Sequence, residues 1–86
     1  MSRHRKLIKR FLAKPRDFAY DELVTLLKGF GYKEVKVGKT SGSRAAFFNE
    51  KRNNIIRLHR PHPSNELKRY QLNDVERELK RKGFLR

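Results

Sequence analysis

The chain has 86 residues, 36% hydrophobic and 37% charged, and its 23 Lys and Arg against nine Asp and Glu leave a formal net charge of +14. That length supports one domain with a modest core, and the absence of cysteine excludes a disulfide framework or a thiolate metal site. No apolar run approaches the ~20 residues needed to cross a membrane. So large a cationic excess costs self-repulsion that a polyanion would relieve, which puts nucleic acid first among partners, an acidic protein second and a membrane surface third. Six Phe, three Tyr and regularly spaced Leu, Ile and Val argue against disorder despite the charge.

In chain order, the opening Met1-Ser2-Arg3-His4-Arg5 is basic but lacks the apolar core of a signal peptide, so a cytoplasmic protein is expected. Residues 3–13 read as a helix whose stripe is Leu7, Ile8, Phe11 and Leu12, surrounded by Arg3, Arg5, Lys6, Lys9 and Arg10 and ended by Pro15. Those cations form either a solvated face or a phosphate-tracking one. His4 is expected to be mobile and idle. A second helix is expected over Asp21–Lys28, with Asp21 and Glu22 at its positive end, Leu23, Leu26 and Leu27 buried, and Gly29 or Gly31 as its stop. Phe18, Tyr20, Phe30 and Tyr32 read as packing residues.

Three strands follow. Glu34-Val35-Lys36-Val37 alternates, with the valines inward and Glu34 and Lys36 outward. A second strand spans Arg44–Asn49, Glu50–Asn54 make a polar hairpin turn, and a third strand spans Ile55–His59 with Ile56 and Leu58 inward and Arg57 and His59 outward. If Arg44 shares that outer side, the open face is basic. The last helix runs near Leu72–Lys82, with Leu72, Val75 and Leu79 buried, the pairs Glu76–Lys80 and Glu78–Lys82, and Gly83 as its cap.

Three stretches together resemble the HicA (YcfA-like) family, the small toxins of type II toxin–antitoxin systems. They are Val24-Thr25-Leu26-Leu27-Lys28-Gly29-Phe30-Gly31-Tyr32, then Gly38-Lys39-Thr40-Ser41-Gly42-Ser43, and Pro61-His62-Pro63-Ser64-Asn65-Glu66-Leu67 continuing through Leu72 and Val75 to Gly83. The resemblance implies an α+β fold like a double-stranded-RNA-binding domain, α-β-β-β-α, with a three-stranded antiparallel sheet packed on helices. The chain is then a single domain over residues 1–86, with 1–16 an extra N-terminal helical extension and 17–86 the core. It also implies metal-independent cleavage of messenger RNA, no cofactor, and a HicB-like antitoxin as partner. The family's catalytic histidine follows the Gly-Ser pair at the start of the second strand, and here that position is Arg44.

RNA cleavage without metal needs a base for the 2′-OH proton, usually an acid for the leaving oxygen, and cations for the developing charge. Arginine stays protonated, so Arg44 clamps phosphate but is a poor base. Proton transfer then falls to His59 or His62, since histidine changes charge near neutrality. His62, between two prolines, serves either that role or the shaping of its loop, and His59 is either a phosphate contact or a solvated side chain. Lys39, Thr40, Ser41, Ser43, Arg44, Arg57, Arg60 and Lys68 are the expected RNA contacts. No metal site is expected, because His59 and His62 lack further ligands. The alternative is a catalytically inactive module on the same fold that binds RNA or an acidic protein.

Overall fold

The structure, a computed structural model, describes residues 3–35, 44–61 and 64–85. Its elements in order are α1 (Arg3–Leu12), α2 (Tyr20–Gly29), β1 (Tyr32–Val35), β2 (Arg44–Asn49), β3 (Asn54–His59) and α3 (Arg69–Arg81). The strands form one antiparallel sheet in the order β1-β2-β3. The architecture is the expected α+β one, with an N-terminal helix packed on the others.

Helix α2 forms because Leu23, Leu26 and Leu27 recur on one face, and all three are fully buried. At its start the Glu22 carboxylate accepts the Ala19 N–H at 2.9 Å, and at its end Gly31, at φ 96, follows the Phe30 cap. A left-handed residue there is cheap only for glycine. Helix α3 begins about one turn earlier than its apolar spacing suggests. The reason is Gln71, whose side-chain oxygen accepts the Lys68 N–H at 3.0 Å and so extends the helix back to Arg69. It ends in a Schellman motif: Phe84 N–H to Leu79 O, Gly83 N–H to Lys80 O, and Gly83 at φ 85. Glu76 pairs with Lys80 at 3.0 Å as expected, whereas Glu78 pairs with Arg81 at 2.8 Å, not with Lys82.

Both helices close over one side of the sheet. Phe47 and Ile56 face each other in register and join Phe18, Leu23, Leu72, Val75 and Leu79 in a single core. Strand β1 departs from its expected register of faces. It starts at Tyr32, which is buried, so period-two alternation turns Glu34 to the helix side and Val35 to the open side, the reverse of expectation. Tyr32 is bulkier than Val35 and takes the core position. Glu34 tolerates its place because the Tyr20 hydroxyl donates to it at 2.5 Å and Arg60 pairs with it at 3.2 Å. Lys36 and Val37 lie outside the described residues.

Helix α1 is docked, not loose. Phe11 is fully buried with its ring edge-on to Phe18, and Leu7 and Ile8 pack against the core, while Leu12 of the expected stripe is exposed. His4 is the second correction. Its Nε2 lies 3.0 Å from the Leu26 carbonyl, one of the α2 carbonyls that the helix itself leaves unbonded, and its ring sits edge-on to Phe30 at 4.5 Å. Arg10 grips Glu22 through Nε at 2.7 Å and Asp17 through Nη2 at 3.1 Å. An isolated bridge between Ala19 and Glu66, with Leu67 buried beside it, ties the α1–α2 link to the segment that leads into α3.

Candidate nucleic-acid interface

The hairpin register decides what the open face carries. The turn between β2 and β3 is four residues, 50–53, with Asn53 at φ 48, a left-handed conformation that asparagine tolerates. Flanking it are two buried asparagines paired in register: Asn49 donates to the Phe30 carbonyl at 2.9 Å, and Asn54 donates to the Tyr32 hydroxyl at 2.7 Å. Five more facing pairs follow from that anchor, ending with Arg44 directly opposite His59. Facing residues share a side of the sheet. The side away from the helices therefore carries Arg44, Ala46 and Phe48 from β2 opposite His59, Arg57 and Ile55 from β3, with Lys33 and Val35 from β1 beside them, and of these Ala46 is fully buried.

Arg44, Arg57, His59 and Lys33 are exposed, and the three cations among them form no ion pair with the described residues. Phe48 is half-buried and Ile55 exposed, which makes an apolar patch at the turn end, while the charge gathers at the other end around Arg44 and His59. The His59 carbonyl accepts from Gln71 Nε2 at 2.8 Å and so turns outward from the sheet edge. A carbonyl turned away from the neighbouring strand belongs to the non-hydrogen-bonded type of pair, whose Cα atoms stand about 4.5 Å apart and whose side chains are the closer kind. Arg44 and His59 are thus cross-strand neighbours on one side of the sheet.

The remaining expected contacts divide. Arg60, one residue past β3, turns to the helix side, where it pairs with Glu34 and lies over the Tyr20 ring at 5.6 Å. Its charge is already engaged. Lys68 is exposed and precedes α3, linked to His59 through Gln71, whose two side-chain atoms bond the Lys68 N–H and the His59 carbonyl. Lys39, Thr40, Ser41, Ser43 and His62 lie outside the described residues. Between the free edge of β3 and α3 runs a groove of about 230 Å³ lined by Ile55, Arg57, His59, Tyr70, Asp74 and Glu78. Among the described residues no group of three or more His, Asp or Glu is placed to hold a metal ion.

Beneath this face, burial and the Glu34 carboxylate push the Tyr20 phenol up to about 12, so it remains a neutral donor to Glu34. Glu34, Tyr20 and Arg60 were not legible as a unit, because they come from three elements and no local spacing connects them. Gln71 was missed for a simpler reason: it reads as an ordinary polar residue just before the first leucine of α3.

The family model for the HicA toxin of bacterial toxin–antitoxin systems matches residues 20–83. The chain belongs to the HicA toxin family. The match runs from the first residue of α2 to Gly83 after α3, so it takes in the whole sheet and leaves α1 outside. No curated protein and no solved structure matches the chain. No helix among the described residues of this HicA toxin is long and apolar enough to cross a membrane.

Proposed function

We propose that this toxin binds and cleaves messenger RNA on the open face of its sheet, in the cytoplasm, and that a HicB-type antitoxin restrains it. The observation that carries the reading is the direct pairing of Arg44 with His59 on an exposed, unpaired basic surface. Arg44 occupies the position at which the family resemblance puts a histidine, and an arginine there supplies charge without accepting a proton. His59, across the strand pair, takes the proton from the ribose 2′-OH as that oxygen attacks the adjacent phosphorus. The 5′-oxygen leaves with a proton from His62, giving a 2′,3′-cyclic phosphate and a free 5′-hydroxyl. Arg44 and Arg57 hold the non-bridging oxygens as their charge grows. Lys33 and Lys68 extend the phosphate contacts, as do Lys39, Thr40, Ser41 and Ser43 in the segment before Arg44, while Arg60 contributes by fixing the end of β3. The core of this activity is residues 17–86, with 1–16 as an extension.

The test is a labelled single-stranded RNA incubated with the full chain in EDTA. Cleavage should yield cyclic-phosphate ends. His59→Ala should slow it by roughly 10²–10⁴-fold, the usual contribution of a general base, while RNA affinity falls little. Arg44→Ala should weaken binding as well as rate. RNA left intact at a large excess of wild-type protein would refute cleavage and leave the second reading, an RNA-binding module. That reading draws on the same Arg44, which cannot serve as the base.

A further inference from the structure

We infer that α1 is a second RNA-contacting surface, a rigid cationic stripe that adds backbone affinity without taking part in chemistry; this rests on the RNA-binding reading above. At about 100° per residue, the docked side of α1 is the arc of His4, Leu7, Ile8 and Phe11. Its outward arc holds Arg3, Arg5, Lys6, Lys9 and Arg10, with Leu12 as the single apolar residue. The carboxylates of Glu22 and Asp17, which lie beside this arc, are both taken by Arg10. Lys14, just past the helix, is drawn inward to Glu76. That leaves Arg3, Lys6 and Lys9 exposed and without an ion pair among the described residues, at i, i+3 and i+6 along one side. Asp21 lines the shallow groove between α1 and α2 with Arg3 and Lys6 but pairs with neither.

The arrangement works against the isolated chain. Cations three apart on a helix repel one another. Arg3 and Lys6 also stand in the first turn of α1, at the positive end of the helix dipole, and that turn contains no acidic residue. The docking contacts nevertheless hold the helix in one place, so its charges are presented on a fixed scaffold and not on a tail. An external polyanion relieves both repulsions. RNA fits better than an acidic protein, because protein interfaces are depleted in lysine at their centres and enriched in aromatic anchors, whereas this arc is almost all Lys and Arg.

The experiment measures affinity across salt for the full chain and an oligoribonucleotide carrying 2′-O-methyl groups, which cannot be cleaved by 2′-OH attack. The triple variant Arg3→Gln/Lys6→Gln/Lys9→Gln is compared with Lys51→Gln/Arg77→Gln/Lys82→Gln, which lowers net charge equally elsewhere. The urea midpoint of the α1 variant should equal or exceed that of wild type, since the change relieves repulsion among the replaced cations, and that of the control, at surface positions, should stay close to wild type. For a single strand, three lost phosphate contacts should flatten the slope of log K against log salt by about 2, with the control slope unchanged. Equal flattening in both variants would make the effect one of net charge and overturn the proposal. A wild-type slope retained by the α1 variant would also overturn it while leaving RNA binding on the sheet face intact, and loss of HicB-type antitoxin binding alone in that variant would reassign the surface to protein. A flat slope in the wild type would instead remove the RNA reading itself.

Discussion

Replacing Gly29 by alanine should destabilise the protein, although glycine-to-alanine changes in helices ordinarily do the opposite. Gly29 is the last residue of α2 and has no left-handed φ to protect, so alanine there should stabilise by about 0.4–1 kcal/mol through the unfolded chain. A Cβ at this position, however, falls within 3.0 Å of three atoms of the His4 ring. The ring would have to leave, losing its bond to the Leu26 carbonyl, worth roughly 0.5–1.5 kcal/mol, and its edge contact with Phe30, worth a similar ~0.5–1.5 kcal/mol. The balance runs from about zero to a net loss of about 2.6 kcal/mol. In a His4→Ala background the obstacle is gone, and Gly29→Ala should then stabilise by about 0.4–1 kcal/mol. Urea denaturation of the four proteins of this cycle, at unchanged m, reads a coupling of about 1–3 kcal/mol. If Gly29→Ala stabilises equally in both backgrounds, His4 does not fasten α1 and the account of its docking is wrong.

Three further outcomes concern polar groups that are buried or half-buried. Tyr20 has its phenol raised to about 12 from 10.0, so the folded state keeps the proton after the unfolded chain has lost it; stability should be full below pH 10 and decline as pH rises toward 12, and Tyr20→Phe should remove that decline in urea titrations. Glu22 is held below its usual range by the Arg10 hydrogen bond, so its contribution is present above the unfolded carboxylate range near 4.5 and is lost as pH falls through the folded value; Glu22→Gln should flatten the acid limb of stability against pH. Asn54→Ala strands the Tyr32 hydroxyl, which is 1% exposed, and should cost about 1–3 kcal/mol by denaturant midpoint, part of it recovered in the Asn54→Ala/Tyr32→Phe double variant.

What the sequence made legible was what local periodicity encodes. Leu23, Leu26 and Leu27 defined α2, Leu72, Val75 and Leu79 defined α3, and Gly31 and Gly83 marked their stops. Alternation in β3 placed Arg57 and His59 outward, where the register has them. Most of the errors involve partners far apart in the chain. Val35 alternates with Glu34 as a buried strand residue should, yet Tyr32 displaces it, and Glu34 is accommodated by Tyr20 and Arg60 from two other elements. His4 looked idle because the carbonyl it meets is 22 positions away. Gln71 gave no helix-start signal because its cap bond is made from inside the helix to Lys68.

The same contacts explain how a chain with so few core residues keeps the register that puts Arg44 and His59 on the side of the sheet away from the helices. A slip of one residue between β2 and β3 would turn either Arg44 or His59 toward the helices and destroy their pairing. Apolar residues alone specify that register weakly here, since the open side carries Ala46, Phe48 and Ile55 and could itself be mistaken for a core face. The polar groups break the ambiguity. A slip of β3 would pull Asn54 from the Tyr32 hydroxyl at the turn end and the His59 carbonyl from Gln71 at the other, and a slip of β2 would pull the buried Asn49 from the Phe30 carbonyl. Each unpaired group costs about 1–3 kcal/mol, so the correct register is separated from the slipped one by several such penalties. The asparagines and Gln71 therefore serve the candidate site as much as the fold: they decide that Arg44 and His59 stand on the open side together.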